Sequence, residues 1–510
     1  MEIKLIKIFK SFVFLGFTLF MVFLGAYLNK IGFVSEFVKP IFLENINVIP
    51  NYFNGLKSNP QTLELIFNDE QKSKLFENRK IALNNGLLVT HDSSWVKCKI
   101  KYIDDTLMGK LRLKGDDIDH LSGDKWSFRI KLKGGKRIFG MKKFSIQNPK
   151  TRNYIYEWIF HQALRRENII SLRYEFIKVV INGENKGIYA LEEHFDEHLL
   201  DNNHKENSVI TRFNEDYFWN FNAVPKHSSA MAETWLSALV DTYGNLDSSN
   251  NKIFLDSKKI IEAHRAGEIT TSEAFNIEKL STYLAICDLM DGSHAWNWQN
   301  LKFCYDSKTK KLEPIGFDKG RGFYIVTLLG TEYRENYQST YRKNRFFDDL
   351  KFTKMYISKL KRISQPEYLD SLMTYLSPEL EKNLSKLYKD YWYFNYTRKY
   401  FIENQNFIRK MLSPKEPLIV ILKRDSINFI EVINRHYLPI ELINITNKNF
   451  NLKIDDHDKM IIGKKVNQAA AVKKIFLESE FTKYGDWTCY YKILGLNYTY
   501  KQKILSDNHK

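Results

Sequence analysis

The sequence is poor in cysteine, and its few cysteines are scattered. The four are Cys98, Cys287, Cys304 and Cys489, and no two of them form a CxxC pair. This spacing excludes a zinc knuckle and a dense disulfide framework. A single bridge, for instance between Cys287 and Cys304, remains open at this level.

Several familiar binding motifs are also missing. The sequence contains no internal repeat, no GxGxxG, no Walker A motif, no zinc-finger spacing and no RNP-like motif. Its 77 basic and 60 acidic residues leave a net charge of +17, but the basic residues are spread along the chain rather than grouped in blocks. We therefore expect no nucleic-acid partner. The charge fits a solvated lysine-rich surface, or attraction to nucleotide phosphates, anionic lipid or an acidic glycan.

Only one segment is long and apolar enough to cross a membrane. Lys4, Lys7 and Lys10 precede an uncharged run at 11–29, which spans about 28 Å as a helix. The preceding lysines place the N-terminus in the cytoplasm and the bulk of the chain outside it. Residues 24–26 make a poor cleavage site, so we expect a single-pass signal anchor in the cell membrane, with secretion after cleavage as the alternative.

Hydrophobic periodicity predicts an α+β chain. A helix is expected to start near 59–62 and to carry Leu63, Leu65, Ile66, Leu75 and Phe76 on its apolar side. The spacing of apolar residues predicts a helix over 152–167. Asn182-Gly183 predicts a hairpin turn. Further strands are expected at 87–90, 96–102, 109–113, 126–132, 141–146, 175–181, 186–192, 301–305 and 312–317.

This order fits a two-lobed, protein-kinase-like fold, although a plain α+β protein would have the same order. The 510 residues are enough for two to four domains. Helices are expected over most of 229–290 and 345–435. The predicted parts are an anchor at 1–30, a stalk at 31–87, a β-rich lobe at 88–200, a mainly helical lobe at 201–435 and a β-rich module at 436–510.

The stretch 287–323 carries the strongest chemical pattern. A turn with acidic residues and asparagines leads into a strand hairpin, which ends at Asp318 before a Gly-Arg-Gly. This is the layout of a protein-kinase catalytic centre. Asp318 and Asn300 offer hard oxygen ligands for Mg²⁺ or Mn²⁺. Asp288 or Asp291 is expected to accept the proton of the acceptor hydroxyl, and His294 to brace the loop.

Basic residues around Gly115 are candidates for binding nucleotide phosphates. A β-turn-β with glycine, serine and flanking bases can cover phosphates, although a surface hairpin has the same pattern. The candidates are Arg112, Lys114, Lys125 and Arg129.

A second group repeats the order of kinase phosphate-binding elements. Lys142 or Lys143, in the strand run at 141–146, is expected to hold the α- and β-phosphates and to be oriented by Glu157 on the next helix. Glu192, at the end of the hairpin, is expected at the hinge, where it would contact the adenine amine. The alternatives are solvated charges and a purely structural hairpin.

Four blocks in this order resemble the CotH kinase family, first met as spore-coat proteins. The blocks are RLKG with KWSFRIKL, then MKKFSIQNP, then VVINGENKGIYALEEHFD, and last HAWNWQNLKFCYD with KLEPIGFD, over roughly 105–330. The resemblance implies an atypical protein-kinase fold. It also implies a secreted or surface-exposed enzyme that uses ATP and a divalent metal to phosphorylate serine or threonine of proteins.

By position, Asp318 matches the metal-binding aspartate of that family, and Asn300 matches the asparagine that opens the preceding strand. Kinases generally place the catalytic aspartate about five residues before that asparagine, where this chain has Ala295. Asp291 and Asp288 lie further upstream, so either one is a candidate for the base.

Three functions follow as hypotheses. The first is transfer of phosphate from ATP to an extracytoplasmic protein or envelope polymer. The second is nucleotidyl transfer with the nucleotide reversed. The third is a non-catalytic envelope protein on a kinase-like scaffold.

Overall fold

The computed structural model describes residues 2–34, 38, 47–115, 117–205, 207–215, 238–243, 246–331, 345–423, 428–447, 450–452, 454–464, 469–477 and 486–506. The chain begins with helix α1 (Glu2–Lys30), and a shorter helix, α2 (Val48–Lys57), follows. The window Val13–Lys30 of α1 is long and apolar enough to span a membrane, and none of it is buried against the protein. The apolar helix is therefore present as predicted, and its placement in a membrane stays a prediction.

A closed barrel of seven strands forms the first part of the folded body. Its neighbours pair antiparallel, except that β1 and β7 run parallel. In order around the barrel, the strands are β1 (Thr62–Ile66), β2 (Val96–Tyr102), β3 (Asp105–Leu113), β4 (Phe128–Leu132), β5 (Lys143–Gln147), β8 (Glu184–Glu193) and β7 (Tyr174–Ile181).

The helix predicted from 59–62 onward is wrong in its first part. Leu63 and Leu65 alternate with more exposed neighbours and point into the barrel, so this segment is strand β1. Helix α3 (Asp69–Asn85) starts only after Asn68, whose side chain accepts a hydrogen bond from the Gln71 backbone. It ends at Gly86, which takes the left-handed conformation that favours glycine.

One helix crosses from the barrel to the rest of the body. Helix α4 (Ile155–Arg166) follows a short 3-10 turn at Pro149–Arg152, and most of its side chains are buried. This confirms the helix expected over 152–167.

The second part combines helices with a five-stranded sheet, ordered β10-β9-β11-β12-β6. Its strands are β6 (Ile170–Ser171), β9 (Ser208–Phe213), β10 (Val240–Thr242), β11 (Lys302–Asp306) and β12 (Lys311–Gly316). Its helices are α5 (Glu197–Asn202), α6 (Ser248–Ala266), α7 (Thr271–Ala274), α8 (Ile277–Met290), α9 (Leu350–Ile363), α10 (Pro366–Tyr391) and α11 (Lys399–Leu412). Helix α8 is almost wholly buried and leads directly into the stretch with the strongest chemical pattern. Residues 229–237, expected to be helical, lie outside the described residues.

The C-terminal part is β-rich, and it begins earlier than expected. Residues 418–423, predicted to be helical, alternate between buried and half-buried positions and form a strand. The strands are β13 (Leu418–Lys423), β14 (Phe429–Asn434), β15 (Ile440–Thr446), β16 (Asn451–Leu452), β17 (Met460–Ile461), β18 (Ala471–Phe476), β19 (Thr488–Ile493), β20 (Tyr500–Lys503) and β21 (Leu505–Ser506). They form two sheets, β18-β14-β13-β21 and β16-β15-β19-β20, and β17 also pairs with β15.

The chain is thus α+β, as predicted, with an apolar N-terminal helix and a closed barrel. The two-lobed kinase-like arrangement and the domain boundaries stay predictions. All four cysteines are free and buried, so the bridge between Cys287 and Cys304 is not formed.

Candidate active site

A cavity of about 1070 Å³ lies between the barrel and the loops that follow α8 and β12. One wall comes from strands β3 to β5, and the facing wall comes from residues 291–302 and 317–322. Eight residues singled out from the sequence line it: Arg112, Lys114, Arg129, Lys143, Asp291, His294, Asn300 and Asp318. The fold therefore brings the two predicted constellations to one place.

Asp318 is the most constrained carboxylate of this cavity. It follows β12 in the left-handed conformation (φ 53°), which is uncommon for a residue other than glycine and typical of functional sites. Its Oδ2 lies 2.7 Å from Nη2 of Arg152 and 3.5 Å from Nε2 of His294. Burial would raise the pKa of Asp318, but the charges of Arg152 and His294 outweigh it and hold that pKa below its ordinary value. The carboxylate is therefore ionised at neutral pH.

The loop after α8 supplies the other polar groups of this wall. Asp291 caps α8 in the left-handed conformation. His294 accepts a hydrogen bond from Asn300 Nδ2 through its carbonyl oxygen (3.0 Å), and its ring Nδ1 lies 3.2 Å from Asn297 Nδ2. Burial opposes the charged ring, but Asp318 outweighs it and raises the pKa of His294. These contacts agree with a bracing position for His294.

Asp288, one of the two candidate bases, does not line the cavity. It is buried, and its Oδ1 accepts a hydrogen bond from the Leu329 backbone (2.9 Å). Its Oδ2 accepts one from the Tyr356 hydroxyl (2.5 Å). One turn of α8 separates it from Asp291, and that turn directs its side chain into the helical core. The structure therefore places Asp291, and not Asp288, at the cavity, and the role of Asp291 as the base stays a prediction.

Three cations on adjacent barrel strands form the opposite wall. Arg112 on β3 lies directly across from Arg129 on β4, and Lys143 begins β5. Burial and the neighbouring Arg129 and Arg112 lower the pKa of Lys143 to about 7. Cations held this close together, partly out of water, favour the binding of an anion. We call Arg112, Arg129 and Lys143 the basic wall.

The predicted pairing of Lys142 or Lys143 with Glu157 is wrong. Glu157 is fully buried in the first turn of α4, where its carboxylate accepts a hydrogen bond from the Lys319 backbone (3.2 Å) and lies 3.3 Å from His161 Nε2. It therefore holds the segment directly after Asp318. Lys142 is not part of the cavity lining, and its carbonyl oxygen accepts a hydrogen bond from the Leu132 backbone.

A buried lysine–glutamate pair exists elsewhere, between Lys114 and Glu192 (2.8 Å). Burial lowers the pKa of Lys114. Burial alone would raise the pKa of Glu192, but the charges of Lys114 and Arg152 outweigh this effect, and the pKa of Glu192 is lowered. Glu192 is thus engaged inside the protein instead of reaching a bound base as predicted. His194 and Phe195, two and three residues further along the chain, line the cavity instead.

Lys125 is also displaced from its predicted role. Its ammonium group lies 2.6 Å from Asp390 Oδ2 and donates hydrogen bonds to the Ile188 carbonyl and the Tyr391 hydroxyl, both at 3.1 Å. It fastens the barrel loop to helix α10 rather than facing the cavity.

An aromatic end of the cavity was not predicted. The rings of Phe195 and Tyr243 are stacked with centroids 5.2 Å apart, and Phe317 meets Phe195 edge-on at 5.1 Å. The Arg212 guanidinium lies 4.7 Å from the Tyr243 centroid. Phe317 directly precedes Asp318, and this adjacency is the sequence signal that could have predicted an aromatic residue at the cavity. Tyr243 and Arg212 come from β-strand ends far away in the chain.

The donor set fits a divalent metal that arrives with a nucleotide. The Oδ1 atom of Asp318 is buried and has no hydrogen-bond partner within the described part of the chain. Across the same part, no three His, Cys, Asp or Glu side chains cluster as a preformed metal site. Mg²⁺ is commonly held by one or two protein side chains together with substrate phosphates. Asp318 and Asn300 can provide such a half-site.

A family model described as CotH kinase protein matches residues 111–413, more than half of the 510 residues. The matched region includes all cavity-lining residues except Thr90. No curated protein matches the chain.

Proposed function

The chain belongs to the CotH kinase family, and on this basis we propose that it transfers the γ-phosphoryl group of ATP to a hydroxyl group. The proposed acceptor is a serine or threonine of an extracytoplasmic protein, or an envelope polymer. The single observation that supports this best is the position of the ionised Asp318, which faces the basic wall across one cavity. Its Oδ2 contacts Arg152, while its Oδ1 has no hydrogen-bond partner among the described residues.

Each part of the cavity has a role in this proposal. Asp318 and Asn300 hold Mg²⁺ or Mn²⁺, which neutralises charge on the phosphates. The basic wall binds the phosphate oxygens. The stacked rings of Phe195 and Tyr243 provide an apolar surface for the adenine base.

Asp291 is the proposed general base. The acceptor oxygen attacks the γ-phosphorus, the bond to the bridging oxygen of ADP breaks, and the hydroxyl proton passes to Asp291. Arg152 acts before this step, because its contact with Asp318 keeps that carboxylate charged and oriented while the site is open.

A second candidate is a non-catalytic scaffold that binds a partner. The same contact favours it, because Arg152 already occupies Oδ2 of Asp318 and competes with a metal ion for that oxygen. In this case the cavity would bind an anion through the basic wall without chemistry.

Labelled ATP separates the candidates. The full chain is incubated with Mn²⁺ and either γ- or α-labelled ATP, with casein as a general serine and threonine acceptor. Transfer of the γ label alone, lost in Asp291→Asn, supports phosphoryl transfer. Transfer of the α label indicates nucleotidyl transfer. Binding without transfer of either label supports the scaffold.

A further inference from the structure

Helix α2 has the reverse of the usual distribution of side chains. The residues that it buries against the protein are Asn51 and Gly55. Asn51 Nδ2 donates hydrogen bonds to the carbonyl oxygens of Trp392 and Phe394, both at 3.3 Å. At Gly55, an added Cβ would lie 2.5 Å from the Tyr388 carbonyl oxygen, so only glycine permits this approach to α10.

The outward side of α2 is large and apolar. Ile49, Tyr52, Phe53 and Leu56 are 69%, 47%, 55% and 57% exposed. Their spacing is i, i+3, i+4, i+7, which places all four on one stripe of the helix. We call this stripe the outer face of α2. A helix on a water-facing surface ordinarily directs such a stripe toward the core, so an outward one marks a surface that another apolar phase covers.

The neighbouring groups suit the boundary of a lipid bilayer. The Tyr52 ring lies edge-on to Trp392 with centroids 6.3 Å apart, and Tyr and Trp rings are enriched at that boundary. Lys57 ends α2, and Lys389 Nζ donates a hydrogen bond to the Ser58 carbonyl (2.9 Å). These two lysines adjoin the apolar stripe, where they can reach anionic headgroups.

The position of α2 in the chain indicates which apolar phase that is. No residue of the segment Val13–Lys30 is buried, the segment is long enough to span a bilayer, and residues 31–47 separate it from α2. If α1 is the anchor predicted from the sequence, α2 is the next helix along the chain whose bounds the structure describes, and it lies on the outer side of the membrane. Because residues 31–47 connect α2 to the anchor, α2 stays near the bilayer surface.

We propose that the outer face of α2 lies in the headgroup region of the membrane and holds the folded body against it. The proposal rests on the membrane anchor predicted for α1 and on the extracytoplasmic location in the proposed function, and it is independent of the transfer reaction. Because Asn51 and Gly55 join α2 to α10, membrane contact at α2 sets the orientation of the body relative to the bilayer.

The test uses the full chain in vesicles of phosphatidylcholine and phosphatidylglycerol. Thiol-reactive environment-sensitive dyes are placed by Phe53→Cys on the outer face, by Val22→Cys in α1 and by Tyr498→Cys, an exposed aromatic position (67%) before β20. The four native cysteines are buried, and dye-treated wild type controls for their labelling. Tyr52→Cys is a second probe of the outer face in case the first variant folds poorly.

Spin-labelled lipids with a nitroxide either near the headgroups, which reports on positions 53 and 52, or deep in the acyl chains, which reports on position 22, then show which dyes touch the bilayer. We expect quenching and a blue shift at positions 22 and 53 but not at 498. Quenching at 22 without quenching at 53 or 52 overturns the membrane role of the outer face while the anchor stands. No quenching at 22 overturns the anchor and the inference with it. A blue shift at 53 that grows with protein concentration and is insensitive to the spin-labelled lipids shows a second copy there, and also overturns it.

Discussion

Asp318 lies between the guanidinium group of Arg152 and the ring of His294. Arg152 and His294 both approach Oδ2, whereas Oδ1 is buried without a hydrogen-bond partner among the described residues. A buried carboxylate oxygen in this state carries a desolvation cost that an incoming cation can relieve. The residue is thus stabilised as an anion but incompletely satisfied.

At the residue scale, the sequence predicted chemistry well where neighbours in the chain act together. Asn300 and Asp318 belong to one hairpin, and Arg112 and Arg129 to one antiparallel pair, so their order along the chain brought them to one cavity. Glu157 and Lys125 were misjudged because their partners, the Lys319 backbone and Asp390, are remote in sequence. A local sequence pattern cannot predict contacts between residues that are far apart in the chain.

A comparison of Arg129 and Lys125 distinguishes a residue that lines the cavity from one with a structural contact. Arg129 lines the cavity, while Lys125 binds Asp390 outside it. We expect Arg129→Met to weaken ATP binding by about tenfold to a hundredfold, since a charge-assisted hydrogen bond contributes about 1.5–3 kcal/mol. Isothermal titration calorimetry checks this.

Lys125→Met is the matched control, with an expected change in ATP affinity of less than about twofold. Equal losses in the two variants would contradict the placement of Lys125 outside the binding surface.

Lys143 predicts a pH dependence of nucleotide binding. Its pKa of about 7 in the free protein is lowered by burial and by Arg129 and Arg112, and a bound phosphate would raise it again. Binding then takes up a proton above pH 7. ATP affinity should therefore fall as pH rises past 7, by at most about tenfold per unit, and should be insensitive to this group below 7.

Calorimetric titrations from pH 6 to pH 9 give the measurement, with Lys143→Met as the reference. The slope above pH 7 should be shallower in that variant. An identical slope in both proteins would show that Lys143 does not face the phosphates.

At the element scale, strand pairs and strongly periodic helices were predictable, and short ambiguous segments were not. The hairpin β11–β12 and helix α8 appear where expected, because the apolar pattern of each segment matches only one type of secondary structure. Residues 62–66 were assigned to a helix, since their five positions match a helical stripe nearly as well as a strand. The choice depends on pairing with β2 and β7, which no local window contains.

The closed barrel predicts that β1 contributes strongly to the free energy of unfolding. Leu65 is completely buried on this strand. Leu65→Ala should lower the free energy of unfolding by about 2–5 kcal/mol, because it leaves a cavity among closely packed neighbours. Ile81→Ala, on a half-exposed position of α3 (52%), should cost less than about 1 kcal/mol. Urea unfolding compares the two, and similar costs would contradict the closure of the barrel by β1.

At the scale of the whole molecule, the chain joins an apolar helix, a barrel with a helical and sheet-containing part, and C-terminal sheets. The family match begins within β3 and ends after α11, so it includes the cavity but neither α1 nor β13–β21. Fold class and family were accessible from sequence because they depend on many weak signals in order. The aromatic end was not, because Phe195, Tyr243 and Phe317 follow three strands that are far apart in the chain, β8, β10 and β12.

The apolar helix predicts how the whole chain behaves in cells. With α1 retained as a single-pass anchor, the chain should remain in the membrane pellet after alkaline carbonate and be released only by detergent. Its mass should be that of the uncleaved 510 residues. Release as a shorter soluble species would contradict the anchor and indicate a cleaved signal.

The most direct test of the nucleotide site is calorimetric titration of the full chain with ATP and Mn²⁺. Wild type and Lys125→Met should bind, and binding should weaken when the metal is chelated. Asp318→Asn should lose at least about tenfold in affinity with metal present, because it removes the charge that holds the ion. Equal metal-dependent affinity in wild type and Asp318→Asn, or no binding by wild type, would contradict a metal–nucleotide site at Asp318.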